Sequence, residues 1–132
     1  MRRTYISLLA LSIGILLAGG SLLAHHSISA EFDQSKPISF TGTVKKVEWL
    51  NPHIYTQVEV KDASGKVLVY RIEGGAPNAL YRQGIRPDSL KTGTVIKFTG
   101  IRAKAPESMN VNGRMTLEDG SNAMRATAND PQ

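Results

Sequence analysis

The segment "ISFTGTVKKVEWL", residues 38–50, constrains the fold most, because its apolar residues change phase partway along it. Phe40 and Val44 share one parity, whereas Val47 and Trp49 share the other. Successive side chains of a strand point to opposite faces, so a straight strand cannot bury both pairs on one side. A bulge or sharp bend between Gly42 and Lys46 reconciles them. Long bent first strands that serve two sheets are what small closed barrels require.

The segments that follow fit such a barrel. After the break at Asn51-Pro52, "HIYTQVEV" alternates, with Ile54, Thr56, Val58 and Val60 on one side and His53, Tyr55, Gln57 and Glu59 on the other. "KDASGK" is a turn of hairpin length, and Val67 to Ile72 reads as a third strand. Pro77 suits a helix's first turn and Gly84 its stop, so a short helix fits between them. "TVIKFTGIRA" is the fourth strand, and "RMTLEDGSNAMRATA" the fifth, or a hairpin about Asp119-Gly120. The expected class is mainly β: a small five-stranded OB-like Greek-key barrel with one short helix between strands 3 and 4. A small open sheet with one helix packed on it is the rival.

Ahead of this domain, expected over residues 38–128, the chain opens on Met1-Arg2-Arg3 and an apolar run that ends at Ala24. A charged tip, an apolar stretch and a small-residue end describe a signal peptide over 1–24. An uncleaved anchor is the competing reading, since the run approaches the roughly 20 residues that span a bilayer. Cleavage leaves residues 25–37 as an irregular N-terminal arm and a periplasmic or secreted protein without stable membrane insertion. Loss of Arg2 and Arg3 takes the 16 basic residues to 14 against 11 acidic ones, so the net charge falls from +5 to +3. With Lys45-Lys46 the one adjacent basic pair beyond the leader, no nucleic-acid partner is expected. The lack of cysteine excludes disulfides, thiolate nucleophiles and iron-sulfur clusters.

Four segments carry a resemblance: His25-His26-Ser27, Asn51-Pro52-His53, Glu73 to Leu80, and Leu90 to Gly93. As a set they resemble a family of small exported bacterial proteins that carry a domain-of-unknown-function label. The resemblance implies export and a compact β-rich domain, and it supplies no function. Ile85 departs from it, standing where the family's tryptophan is expected.

The histidines hold the chemistry. Cleavage after Ala24 makes His25 the first residue, and its amine and ring with one further imidazole form a three-nitrogen brace suited to Cu(II). His53 is the better source of that imidazole, because His26 adjoins His25 and both rings seldom turn to one ion without strain. Cleavage one residue earlier gives Ala-His-His, which chelates Cu(II) through backbone nitrogens. The plainer reading makes His25 and His26 a polar start to an arm and His53 a turn cap. Glu31, Asp33 and Glu48 are the carboxylates considered for support around the metal, Glu73 and Asp88 the partners of Arg71, Arg82, Arg86 or Arg102. Met109, Met115 and Met124 are spaced as filling rather than as a thioether cluster.

Trp49 and Tyr55 suggest a second site, a shallow stacking surface near the loop at 102–113. No Gly-x-Ser-x-Gly elbow, His-Glu-x-x-His helix or Gly-Lys-Ser/Thr phosphate loop is present, so binding rather than catalysis is expected. The first expectation is therefore an exported protein that binds copper, or less specifically zinc, through His25 and His53 with His26 as substitute. Its partner is then a metal donor or acceptor. The alternative is a metal-free module that holds a small ligand, glycan or envelope protein at Trp49 and Tyr55; a structural protein with no small ligand is a third reading.

Overall fold

A computed structural model describes residues 28–124. The expected signal peptide, His25, His26 and the last residues of the expected domain lie outside the described residues. Two units divide the chain, Met1–Ala30 and Glu31–Gln132. The described part of the first is the start of a helical turn, α1 (Ile28–Glu31).

Five strands follow: β1 (Phe32–Trp49), β2 (Ile54–Lys61), β3 (Val67–Glu73), β4 (Val95–Ala103) and β5 (Asn110–Thr116), with helix α2 (Pro77–Arg82) between β3 and β4. β2 pairs antiparallel with β1 and β3, β4 pairs antiparallel with β1 and β5, and β3 pairs parallel with β5. Each strand thus has two neighbours, and the order β1-β2-β3-β5-β4 closes on itself as a ring. The open sheet is not what forms.

β1 makes the closure. Its first part, to Thr43, pairs with β4, and from Thr43 to Trp49 it pairs with β2, the register shifting between Val44 and Lys46. That irregularity lies where the phase change requires it, and Val47 then faces Thr56 across the ladder and Trp49 faces Ile54. α2 starts on Pro77, as its missing N–H allows. It ends where Gly84 takes φ 79°, a left-handed value that glycine adopts without a Cβ clash, and Ile85 N–H returns to Leu80 O at 3.0 Å.

Two expectations need correction. The arm is irregular only in part, because β1 begins at Phe32 and not at Ile38. Phe32 is 2% exposed and sits opposite Ala103, while Lys104 N–H donates to Glu31 O at 2.9 Å. Burying one aromatic ring is worth about 2–3 kcal/mol and anchors the start of a polar stretch that has no alternation of its own. β5 also begins before its expected start, at Asn110, since Val111, 1% exposed, is drawn inside opposite Ile72 and Arg102. The Asp119-Gly120 turn does form, closed by Gly120 N–H to Leu117 O at 3.0 Å.

The core inside the ring contains Val44, Val58, Tyr70, Ile72, Ile96, Phe98, Val111 and Met115. Phe40 stacks between Tyr70 and Phe98, with centroids 4.5 and 4.9 Å away. Tyr70 keeps its hydroxyl satisfied by accepting from Arg102 Nη2 at 3.2 Å. Among the described residues, no helix is long and apolar enough to cross a membrane.

Two turns and the irregularity near the start of β1 share one device. In Asp33-Gln34-Ser35, Asp62-Ala63-Ser64 and Asp119-Gly120-Ser121, the aspartate Oδ1 accepts from the serine hydroxyl at 2.6–2.7 Å and from its N–H at 2.9–3.0 Å. The hydroxyl bond is the main reason all three carboxyls lie below the usual aspartate range. A folded value below the unfolded one adds stability above the unfolded value, which is lost as pH falls through the folded one. The thermal midpoint is therefore expected to hold from pH 7 to 5 and to drop below about pH 4. The triple variant Asp33→Asn, Asp62→Asn, Asp119→Asn keeps the acceptor oxygens without the charge, and its drop should be shallower. Equal acid profiles for the two proteins would contradict this account.

Candidate functional site

Strand register builds two adjacent rows on the outer face of the ring. Glu48, Tyr55, Glu73 and Asn112 lie opposite one another across β1, β2, β3 and β5. Lys46, Gln57, Arg71 and Asn110 form the next row. Charges pair between the rows: Arg71 Nε donates to Glu48 Oε2 at 3.2 Å, and Lys46 Nζ lies 2.9 Å from Glu48 Oε1. The bond from Lys46, then that from Arg71, holds the Glu48 carboxyl below its usual range against the opposing effect of burial. Arg71 also lies over the Tyr55 ring, its guanidinium carbon 3.5 Å from the centroid. Burial first, and then the charge of Glu73, pushes the Tyr55 phenol up, while Arg71 pulls it down.

His53 stands at the end of this face, in the turn that follows the cis Asn51–Pro52 peptide and precedes β2. Past the end of β3, Gly74 N–H donates to Ile54 O at 2.9 Å and Ile54 N–H to Gly75 O at 3.1 Å, so the ladder continues beside the histidine. His53 Nδ1 lies 3.1 Å from Gly74 O. A carbonyl only accepts, so this bond puts the proton on Nδ1 and, when the ring is neutral, leaves the lone pair on Nε2. Nε2 is 3.6 Å from Glu73 Oε1; the histidine side chain is 30% exposed and the carboxylate 11%. Backbone therefore holds the ring at Nδ1, and a nearly buried carboxylate stands in front of Nε2.

His53 and Tyr55 thus flank Glu73, one through its ring nitrogen and the other by register. Trp49 lies elsewhere. It pairs with Ile54, so it takes the face opposite to Tyr55, and its ring meets Tyr81 of α2 at 5.1 Å. Among the described residues, Trp49 Nε1 has no hydrogen-bond partner there, though it is buried. The two aromatic residues do not share a stacking surface, and β4 and β5 take the two ends of the expected 102–113 loop, leaving 104–109 between them.

The three carboxylates considered for support around a metal each have a protein partner: Glu31 accepts from Asn110 Nδ2, Asp33 from Ser35, and Glu48 from Arg71. Glu73, considered as an arginine partner, has its Oε1 3.6 Å from His53 Nε2. Arg86 donates to the carbonyls of Tyr81 and Ile85, and Arg102 donates to Tyr70. Glu73 and Gly74 also border a groove of about 350 Å³ that Leu80, Ile85, Met115 and Met124 line. Two methionines that look unrelated in sequence therefore share one groove. Among the described residues, no three His, Cys, Asp or Glu side chains gather as a metal site.

A model of a family of unknown function, DUF6152, matches residues 14–113. No curated protein and no solved structure matches the chain.

Proposed function

The chain belongs to this DUF6152 family of unknown function, and we propose that it is an exported periplasmic protein that binds Cu(II) through the amine and ring of His25 together with His53. The observation that carries the proposal is the state of His53: its Nδ1 is tied to Gly74 O at 3.1 Å and its Nε2 is turned toward Glu73. Metal-binding histidines are oriented in this way, with the other ring nitrogen donating to a carbonyl or carboxylate. The leader sequence, with Ala24 just before His25, supports the free terminal amine. We take the ring of strands for an OB-like barrel. The order β1-β2-β3-β5-β4, the parallel β3–β5 pair and the helix between β3 and β4 support that, and such folds hold ligands in the loop between their first two strands.

The test begins with the intact mass of the exported protein, which is expected to start at His25. Calorimetry should give Cu(II) binding tighter than to a free peptide beginning His-His-Ser, and His53→Ala should weaken it about tenfold or more. An affinity equal to the peptide's removes the copper reading. The metal-free module then leads, with the Arg71-capped Tyr55 ring as its contact surface, because an arginine stacked on an aromatic is a platform for planar or sugar ligands.

A further inference from the structure

We infer that Glu73 is an oxygen ligand to the same ion as His53, and that this carboxylate makes the site one for oxidised copper and not for Cu(I). The inference rests on the copper reading and adds a donor to it. His53 Nε2 and Glu73 Oε1 stand 3.6 Å apart. A direct hydrogen bond between such groups spans about 2.7–3.2 Å, so the pair is held too wide for one. Two donors on one ion, each at about 2.0–2.2 Å, stand about 2.9 Å apart at a right angle and about 3.4 Å apart at a tetrahedral one. The observed gap is wider than either figure, and a rotation of the partly exposed ring closes it toward the right-angle spacing that tetragonal Cu(II) favours.

The surroundings keep both donors aimed at that gap. Gly74 O holds the ring from behind, and Glu73, 11% exposed, is fixed in the row between Tyr55 and Asn112. Carboxylate oxygen is a hard ligand and imidazole suits Cu(II), whereas Cu(I) selects thiolate and thioether. A site of nitrogen donors and one carboxylate therefore binds Cu(II) more tightly than Cu(I).

The experiment measures Cu(II) and Cu(I) affinities of the exported protein by competition with chelators specific for each state. Glu73→Gln is expected to weaken Cu(II) about tenfold and leave Cu(I) unchanged. The copper midpoint potential then rises by about 59 mV for that tenfold change. Glu73→Asp, which keeps the oxygen on a shorter stem, should fall between the two. In the wild type, diamagnetic Zn(II) should shift the Glu73 carboxyl carbon in the NMR spectrum, a readout that needs no variant to fold. If Glu73→Gln weakens both oxidation states alike, or neither, or if Zn(II) leaves that carbon unmoved, the Glu73 assignment falls while a loss in His53→Ala still upholds the histidine. Wild-type binding no tighter than the peptide's overturns both.

Discussion

Replacing Gly100 with alanine is expected to cost about 3 kcal/mol or more, at the top of the range for overpacked interiors. Gly100 on β4 lies opposite Gly113 on β5. A Cβ built on Gly100 runs into the Asn112 carbonyl oxygen and stands 2.6 Å from Phe98 Cζ and 2.8 Å from Gly113 Cα. Two of these three obstacles are backbone, which does not rotate away. β5 cannot retreat either, because β3 holds it on its other side through Arg71, Ile72 and Glu73. In a domain of this size each kcal/mol lowers the thermal midpoint by about 4–8 °C, so a drop of about 12 °C or more is expected in a calorimetric scan. A midpoint within a few degrees of wild type would mean that the two strands do not approach as closely as described.

Phe98→Ala is expected to destabilise by about 3–5 kcal/mol, the usual cost of emptying a buried phenylalanine site. Phe98 is 1% exposed, stacks on Phe40 at 4.9 Å and extends its ring tip over the two glycines. The space it vacates is lined by a glycine pair with no side chains to collapse inward, which places the cost toward the upper end. Against a total stability of about 5–15 kcal/mol, the variant keeps little margin. Urea titration should show a much lower midpoint with an unchanged slope. A midpoint close to wild type would show that the Tyr70–Phe40–Phe98 stack is not the centre of the core.

Much of this architecture is legible in the sequence, for reasons that are local. The parity switch between Val44 and Val47 is a statement about one strand, and the register shift between Val44 and Lys46 answers it. The alternation from His53 to Val60 likewise fixes which side of β2 is buried, with Ile54, Thr56 and Val58 at 0–1% exposure. Pro77 and Gly84 bound α2 through their own backbone chemistry.

What the sequence hides is long-range. Phe32 is held by Ala103, some seventy residues away, and Asn110 to Asn112 become strand because β3 and β4 accept them on both sides. Trp49 and Tyr55 look like neighbours around one turn, yet register places them on opposite faces. Glu73 was readable in principle. Counting outward along the β2–β3 hairpin from Lys61 opposite Val67 brings Glu73 opposite Tyr55, one step from His53. The turn at "KDASGK" contained that information, but only once its register was known.

The central claim is that this ring presents the His53 nitrogen and the Glu73 carboxylate together to one divalent ion. The most direct measurement is an amide NMR spectrum of the exported protein recorded with substoichiometric Cu(II), whose unpaired electron broadens nearby signals. The account predicts that His53, Glu73 and Gly74 fade first while Lys97 and Thr99 on β4 keep their intensity. Broadening confined to the residues just after His25, with Glu73 and Gly74 untouched, would contradict it.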